Sequence, residues 1–203
     1  MFFSGLIRFL SLGSDAGSPV AYFSSMPVLV TDRLVIRPVK RQDAKDIFAY
    51  AADPDVARYV LWEPHRSVAD TKRYIRYIRA LYRRGLPASW AVTLRESGRV
   101  IGTIGLMWYS ESNSAAEVGY SFSKSFWNRG YATEALRAVT DSVFTSLPVN
   151  RLEAQHDIRN PASGRVMEKC GMQKEGILRQ RIRNKGEFID TVLYSLLRSD
   201  LEK

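Results

Sequence analysis

An alternating run, "AEVGYSFS" at 116–123, leads into a glycine-bearing turn and then a helical repeat, and this order constrains the fold more than any other feature of the chain. Val118, Tyr120 and Phe122 fall on one side of a strand, because successive side chains of extended backbone point to opposite faces. After the turn in "SFWNRGYATEAL" (125–136), Leu136, Val139, Val143 and Leu147 keep the helical period until Pro148 stops it. "RLEAQHDI" (151–158) reads as the next strand. A strand, helix, strand passage of this length suits a right-handed crossover between parallel strands.

What the turn holds follows from the helix it opens. The first N–H groups of a helix lack internal partners and sit at the positive end of its dipole, which makes an anion cradle. Gly130 permits close approach or positive φ, Ala132 is small, and Arg129 adds charge from the side. The turn is neither GxGxxG nor GxxxxGK[ST], so a Rossmann dinucleotide site and a P-loop both lack their key residues. By itself it reads equally well as a strand-to-helix connection whose glycine serves backbone geometry.

The 203 residues suffice for one domain with a sizeable core, and the formal charge of +9 favours anionic partners without choosing among RNA, an acidic protein, a membrane face or a polyphosphate. One cysteine, Cys170, excludes an intramolecular disulfide, and two histidines with no CxxC argue against structural zinc, so a reducing, cytoplasmic setting is expected. Residues 1–25 carry one acid, one base and many small residues; they are expected to be a disordered or dispensable leader ahead of a domain spanning 26–203. No membrane span is expected, since the leader's apolar part is short and interrupted.

From Met26 the chain reads as strand, two helices, three strands, helix, strand, helix and two closing strands. Ser67 and Asp70 have capping-box spacing ahead of a helix whose Tyr74, Ile75, Ile78, Leu81 and Tyr82 share a face; Tyr74, Tyr77 and Tyr82 are expected to be mostly core. Asn160 caps a short helix with Pro161 at its first position.

Together "TDRLVIRPV", "WAVTL", "VIGTIGL", "AEVGYSFSKSFWNRGYATEAL" and "NPASGRVMEKCGMQKEG" resemble the GNAT superfamily of acetyl-coenzyme A dependent N-acetyltransferases. "EVGY" paired with "FWNRGYATEA", and Asn160 with Ser163 and "EKCGM", are most similar to its ribosomal-protein N-acetyltransferase branch, which acetylates protein N-terminal amines. The resemblance implies a mixed α/β domain: a mostly antiparallel sheet of about seven strands, about four flanking helices, and a parallel pair splayed at the cofactor site. It implies acetyl-CoA as acetyl donor and no metal. The backbone of Arg129, Gly130, Tyr131, Ala132 and Thr133 would bind the pyrophosphate, and that of Phe122 and Ser123 the pantetheine arm.

Ser163 is the implied acid for the departing thiolate, and Asn160 both cap and cofactor contact. Relatives that carry a carboxylate in the loop following "EGILRQ" have no counterpart here, because residues 176–186 contain neither Asp nor Glu. Glu117 is then the candidate base, with Asp157 behind it; His156 is in phase with Leu152 and Ala154 and reads as a core residue. Trp62, Glu63 and His65 border the expected acceptor cleft. The acceptor would be an amine, a protein N-terminus first, with a small amine such as an antibiotic or polyamine as the alternative; a coenzyme A binding domain without turnover is a third reading. The charge allows a ribosomal or acidic-protein contact, and a monomer or homodimer is expected.

Overall fold

The computed structural model of the protein describes residues 8–10 and 18–201. A single sheet orders its strands β1-β2-β3-β4-β5-β6-β7-β9-β8. Those strands are β1 (Arg8–Leu10), β2 (Val28–Val30), β3 (Leu34–Pro38), β4 (Ser89–Leu94), β5 (Val100–Ser110), β6 (Ala115–Phe122), β7 (Arg151–Asp157), β8 (Gln173–Asn184) and β9 (Glu187–Leu197). Seven of them are those expected from sequence; β1 and β2, three residues each, are too short to show a period. The helices are α1 (Pro19–Ser25), α2 (Ala44–Ala51), α3 (Pro54–Ala57), α4 (Val68–Arg83), α5 (Tyr131–Ser146) and α6 (Pro161–Lys169). Here α1 and the one-turn α3 exceed the expected four. Among the described residues no helix is long and apolar enough to cross a membrane.

The boundary drawn at Met26 needs correction. The expected leader lies largely outside the described residues, at 1–7 and 11–17, but α1 belongs to the packed domain. Phe23 is 1% exposed, Tyr22 is buried, and the Tyr22 hydroxyl lies 2.9 Å from Ser142 Oγ on α5. Trp90 Nε1 donates to Pro27 O at 2.9 Å just beyond the helix.

Every neighbouring pair in the sheet is antiparallel except β6 and β7. These two pair only from Ala115↔Arg151 to Glu117↔Glu153, although β6 continues to Phe122 and β7 to Asp157. The cause lies on the other side of β6. Its register with β5 shifts between Leu106 and Trp108, opposite Val118 and Glu117, and such a bulge bends a strand and increases its twist. The bend falls where β6 parts from β7. The alternation of β6 sorts its side chains: Tyr120 reaches Ser163 on α6, whereas Ser121 reaches Thr103, which in turn contacts Tyr50 on α2. Helices α5 and α6 therefore cover one face, and α2 and α4 the other.

Candidate active site

Gly130 is the N-cap of α5 and has φ 81° and ψ −3°, the left-handed conformation that a side chain disfavours. Asn128, two residues earlier, also has positive φ, 58°. The Glu134 N–H donates to Gly130 O, so the N–H groups of Tyr131, Ala132 and Thr133 precede the first internal helix bond and have no acceptor within the helix. Arg129 and Gly130 are exposed beside them.

A carboxylate in that first turn, Glu134, would oppose an incoming anion, and the structure ties it down. Thr31 Oγ1 donates to Glu134 Oε1 at 2.6 Å, the Arg33 N–H to the same oxygen at 3.0 Å, and Arg33 Nε to Oε2 at 2.7 Å. Arg33 Nη1 also donates to Arg129 O at 3.0 Å, and its guanidinium lies 4.3 Å from the centre of the Tyr131 ring. Arg33 thus neutralises Glu134 and fastens the turn that bears Gly130. Sequence reasoning missed this latch; an acid in the first turn of a helix was its only local sign.

Beyond Glu117 the free edge of β6 faces the splay. The Ser123 N–H donates to Ile101 O at 2.8 Å, and Ser123 O accepts from the Phe126 N–H at 2.9 Å. Both backbone groups of Ser123 thus have a partner within the protein, the carbonyl keeping a second lone pair. Backbone groups alternate sides along an antiparallel ladder, so Tyr120 and Phe122 aim theirs into the gap. Trp127 Nε1 donates to Phe122 O at 2.8 Å and takes part of that edge, leaving the Tyr120 groups and the Phe122 N–H to an extended ligand.

Ser163 comes to the same opening from α6. Its Oγ lies 3.0 Å from the Tyr120 hydroxyl, which also donates to Ser163 O at 3.0 Å. Burial pushes the Tyr120 phenol well above its usual range, with the Ser163 contact opposing, so the ring stays neutral and can donate. The sequence marks Tyr120 only as a strand-face residue. Asn160 occupies the N-cap of α6 as expected, through its backbone and not its side chain, whose amide makes no capping bond. Its carbonyl accepts from the Ser163 N–H at 3.1 Å. His156 is buried, with Nδ1 2.8 Å from Asp157 O; a Cβ on Gly164 would meet its Nε2 at 2.7 Å, so it packs against the α6 backbone.

Glu117 projects from the other face. Its carboxylate accepts from Trp108 Nε1 at 2.7 Å and from Gln155 Nε2 at 3.1 Å and 3.2 Å, while Gln155 Oε1 accepts from Thr191 Oγ1 at 3.0 Å. These bonds aim the carboxylate at the point where β6 and β7 separate. For Asp157, burial alone would raise the pKa, but bonds from the Arg159 guanidinium and N–H prevail and hold it below the usual carboxylate range. It is a structural ion pair and a poor base.

Trp62 and His65 also gather on this face. They line a cavity of about 80 Å³ with Tyr50, Tyr74, Thr103 and Ser121, the last being on the splayed stretch of β6. His65 Nδ1 is 2.8 Å from Thr71 Oγ1, and its ring centre lies 5.7 Å from that of Trp62. Burial moves its pKa below 6.5, with Asp70 opposing and Arg73 reinforcing the shift. Glu63 is exposed and does not line the cavity. The site is thus an opening through the sheet: an anion cradle, Tyr120 and Ser163 address it from one face, and Glu117, Trp62 and His65 from the other.

Comparison with known proteins identifies the family of the chain. The model of the acetyltransferase (GNAT) domain matches residues 33–173. An uncharacterized N-acetyltransferase, p20, of Bacillus licheniformis is 34% identical over 175 residues, covering 86% of this chain and 98% of that one. The ribosomal protein uS5-alanine N-acetyltransferase of Escherichia coli is 26% identical over 88% of this chain and 96% of its own length. The crystal structure of a GNAT-family acetyltransferase from Bacillus anthracis superposes with a TM-score of 0.76 at 28% identity, covering 85% of this chain and 99% of that one. The chain belongs to the GNAT acetyltransferase family. It is an acyltransferase of the N-acetyltransferase type.

Proposed function

We propose that the protein transfers acetyl from acetyl-CoA to the α-amine of a protein N-terminus, in a ternary complex and without a covalent enzyme intermediate. The observation that carries this reading is the opening between β6 and β7, which presents an anion cradle on one face and a carboxylate beside an aromatic cavity on the other. Donor and acceptor can therefore meet from opposite sides. Acetyl-CoA fits the residues present: its pyrophosphate matches the unpaired N–H groups of Tyr131, Ala132 and Thr133, with Arg129 and Asn160 at hand, and its amide-bearing arm matches the free groups of Tyr120 and Phe122.

Glu117, through water, takes the proton of the acceptor ammonium, and the neutral amine attacks the thioester carbonyl. The C–N bond forms as the C–S bond breaks, the backbone N–H groups on the gap side of β6 stabilise the oxyanion, the Ser163 hydroxyl protonates the departing thiolate, and the proton that the acetylated nitrogen sheds returns through water to Ser163 Oγ. Tyr120 positions that hydroxyl, its O–H donating to Ser163 O and its oxygen lying 3.0 Å from Ser163 Oγ. Trp62 and His65 receive the acceptor's first residue. A protein acceptor is favoured by the likeness to the uS5-alanine N-acetyltransferase.

The test is thiol release from acetyl-CoA with peptides beginning in Ala, Ser or Met, with diamines and with aminoglycosides. Release with N-terminal peptides alone is expected. Release confined to small amines would replace the acceptor assignment, and none with any acceptor despite coenzyme A binding would remove the enzymatic reading of this site.

A further inference from the structure

On the acceptor side of the opening lies a side chain that the chemistry above does not use. Leu106 pairs with Val118 and Trp108 with Glu117, so Met107 is the extra residue of the β5 bulge and has no partner on β6. A Cβ placed on Gly119 would point to the same face as the side chains of Glu117 and Ser121. Its three nearest atoms would all belong to Met107, with Cγ and Sδ at 3.1 Å and Cε at 3.5 Å. The Met107 thioether therefore lies across β6 at Gly119. Glu117 stands two residues to one side and Ser121, which lines the aromatic cavity, two residues to the other, each about 7 Å along the strand.

Met107 is 53% exposed, whereas Met26, Met167 and Met172 are buried. A single exposed apolar side chain is ordinary on a protein surface; this one stands between the carboxylate assigned as base and the cavity assigned to the acceptor. The acceptor has to cover that stretch, because its amine is deprotonated at Glu117 while its first residue reaches Trp62 and His65. We propose that Met107 is a specificity-determining residue: it bounds the acceptor's path between the aromatic cavity and Glu117, the acceptor's first side chain packs against it, and it thereby sets how large that side chain can be. This inference rests on the acetyl-transfer reading above.

The volumes favour a filter of size. The cavity holds about 80 Å³, and an apolar cavity that takes up benzene holds roughly 150 Å³. A methyl or hydroxymethyl group fits the smaller space, whereas a phenyl ring also needs the space over Gly119 that Met107 fills. Methionine is unbranched and adapts to what packs against it, so the filter is graded rather than absolute.

The test is kcat/KM for peptides that differ only in a first residue of Ala, Ser, Val, Leu or Phe, compared within each variant. Wild type is expected to favour Ala and Ser over Leu and Phe. Met107→Ala is expected to raise Leu and Phe relative to Ala by about tenfold or more, the scale on which methylenes in a pocket discriminate, with coenzyme A affinity kept. Met107→Leu is expected to keep the wild-type order. Gly119→Ala, whose Cβ pushes the thioether outward, is expected to move the ratio the other way and to lose that effect when combined with Met107→Ala. A purely structural role would lower all five peptides by one factor. A second readout needs no turnover: hydrogen peroxide oxidises the thioether to a sulfoxide and is itself reduced to water, and mass spectrometry follows Met107 against the buried Met26, Met167 and Met172. The Ala peptide, with desulfo-coenzyme A as an inert cofactor, is expected to slow oxidation of Met107 severalfold. A ratio unchanged in Met107→Ala, or oxidation as fast with the peptide as without it, would overturn this inference alone if peptides are acetylated. Wild-type protein that acetylates no peptide would overturn the acceptor reading, and this inference with it.

Discussion

Arg33 and Glu134, 101 residues apart, form a two-oxygen latch at the first turn of α5, with Nε and Nη2 at 2.7 Å and 2.6 Å from the same carboxylate oxygen and the Arg33 N–H at 3.0 Å from the other. The latch keeps a negative charge away from the cradle and holds Arg129 O through Nη1. Arg33→Ala is therefore expected to raise the dissociation constant of coenzyme A between about two- and tenfold, the range for one charge at a helix N-terminus. Adding Glu134→Gln to Arg33→Ala should restore much of the loss. Calorimetry on the single and double variants checks this, and a double variant no better than the single would show that the turn needs the guanidinium itself. Gly130→Glu is expected to abolish measurable binding, because it combines a strained left-handed residue with a carboxylate in the cradle.

The contact between Tyr120 and Ser163 separates chemistry from packing. Ser163→Ala is expected to lower kcat on the order of 10²-fold while leaving acetyl-CoA affinity nearly unchanged, since the hydroxyl acts as the leaving group develops charge. Tyr120→Phe leaves Ser163 O without its phenolic donor, and is expected to cost about 1 kcal/mol of stability and to slow turnover less than Ser163→Ala does. Melting temperature, cofactor affinity and kcat on the same preparations decide; a destabilised Ser163→Ala enzyme with wild-type kcat would reduce the serine to a packing residue.

Glu117→Gln keeps the shape and removes the basicity of the carboxylate between Trp108 and Gln155. A loss in kcat of about 10²-fold or more is expected, with coenzyme A affinity retained. Full activity across a pH titration would assign deprotonation of the amine to water.

At the far end of β8, Glu175 is held down to about pKa 2, first by hydrogen bonds from the Arg151 guanidinium and then by Ser195. Its folded pKa lies below the usual 4.5, so it stabilises the fold fully above that value, and the contribution is lost as pH falls toward 2. Glu175→Gln should therefore lower melting temperature at pH 7 and flatten its decline between about pH 5 and pH 2. A decline as steep as that of wild type would contradict the assignment.

Helix α1 supplies a fifth prediction. Phe23 is 1% exposed, so Phe23→Ala is expected to cost about 3 kcal/mol, or roughly 6–12 °C in melting temperature for a chain of this size. Removal of residues 1–25 should cost at least as much. A truncated protein that melts with wild type would return the domain boundary to Met26.

Elements whose signals are local are legible in the sequence. Alternation at Val118, Tyr120 and Phe122, a turn around Gly130 and the period of Leu136, Val139 and Val143 specify β6, the cradle and α5, because each is written within a few residues. Ser67 and Asp70 likewise announce α4, and Asp70 does accept from the Ser67 N–H at 2.9 Å. Contacts between distant parts of the chain set the rest. The splay depends on a bulge in β5 whose effect falls on β6 and β7, and the latch joins residues 101 apart. Seven residues of α1 are too few for a legible period, so the burial of Tyr22 and Phe23 appears only once α4 and α5 are placed around them. Tyr77 keeps helical spacing with core residues yet points outward, since a helix buries one stripe and the side chain one position over from it belongs to solvent. Ser123 shows the same limit in a strand: which neighbour claims its N–H is a matter of pairing, and pairing is settled by the partner strand rather than by the residues beside it in the chain.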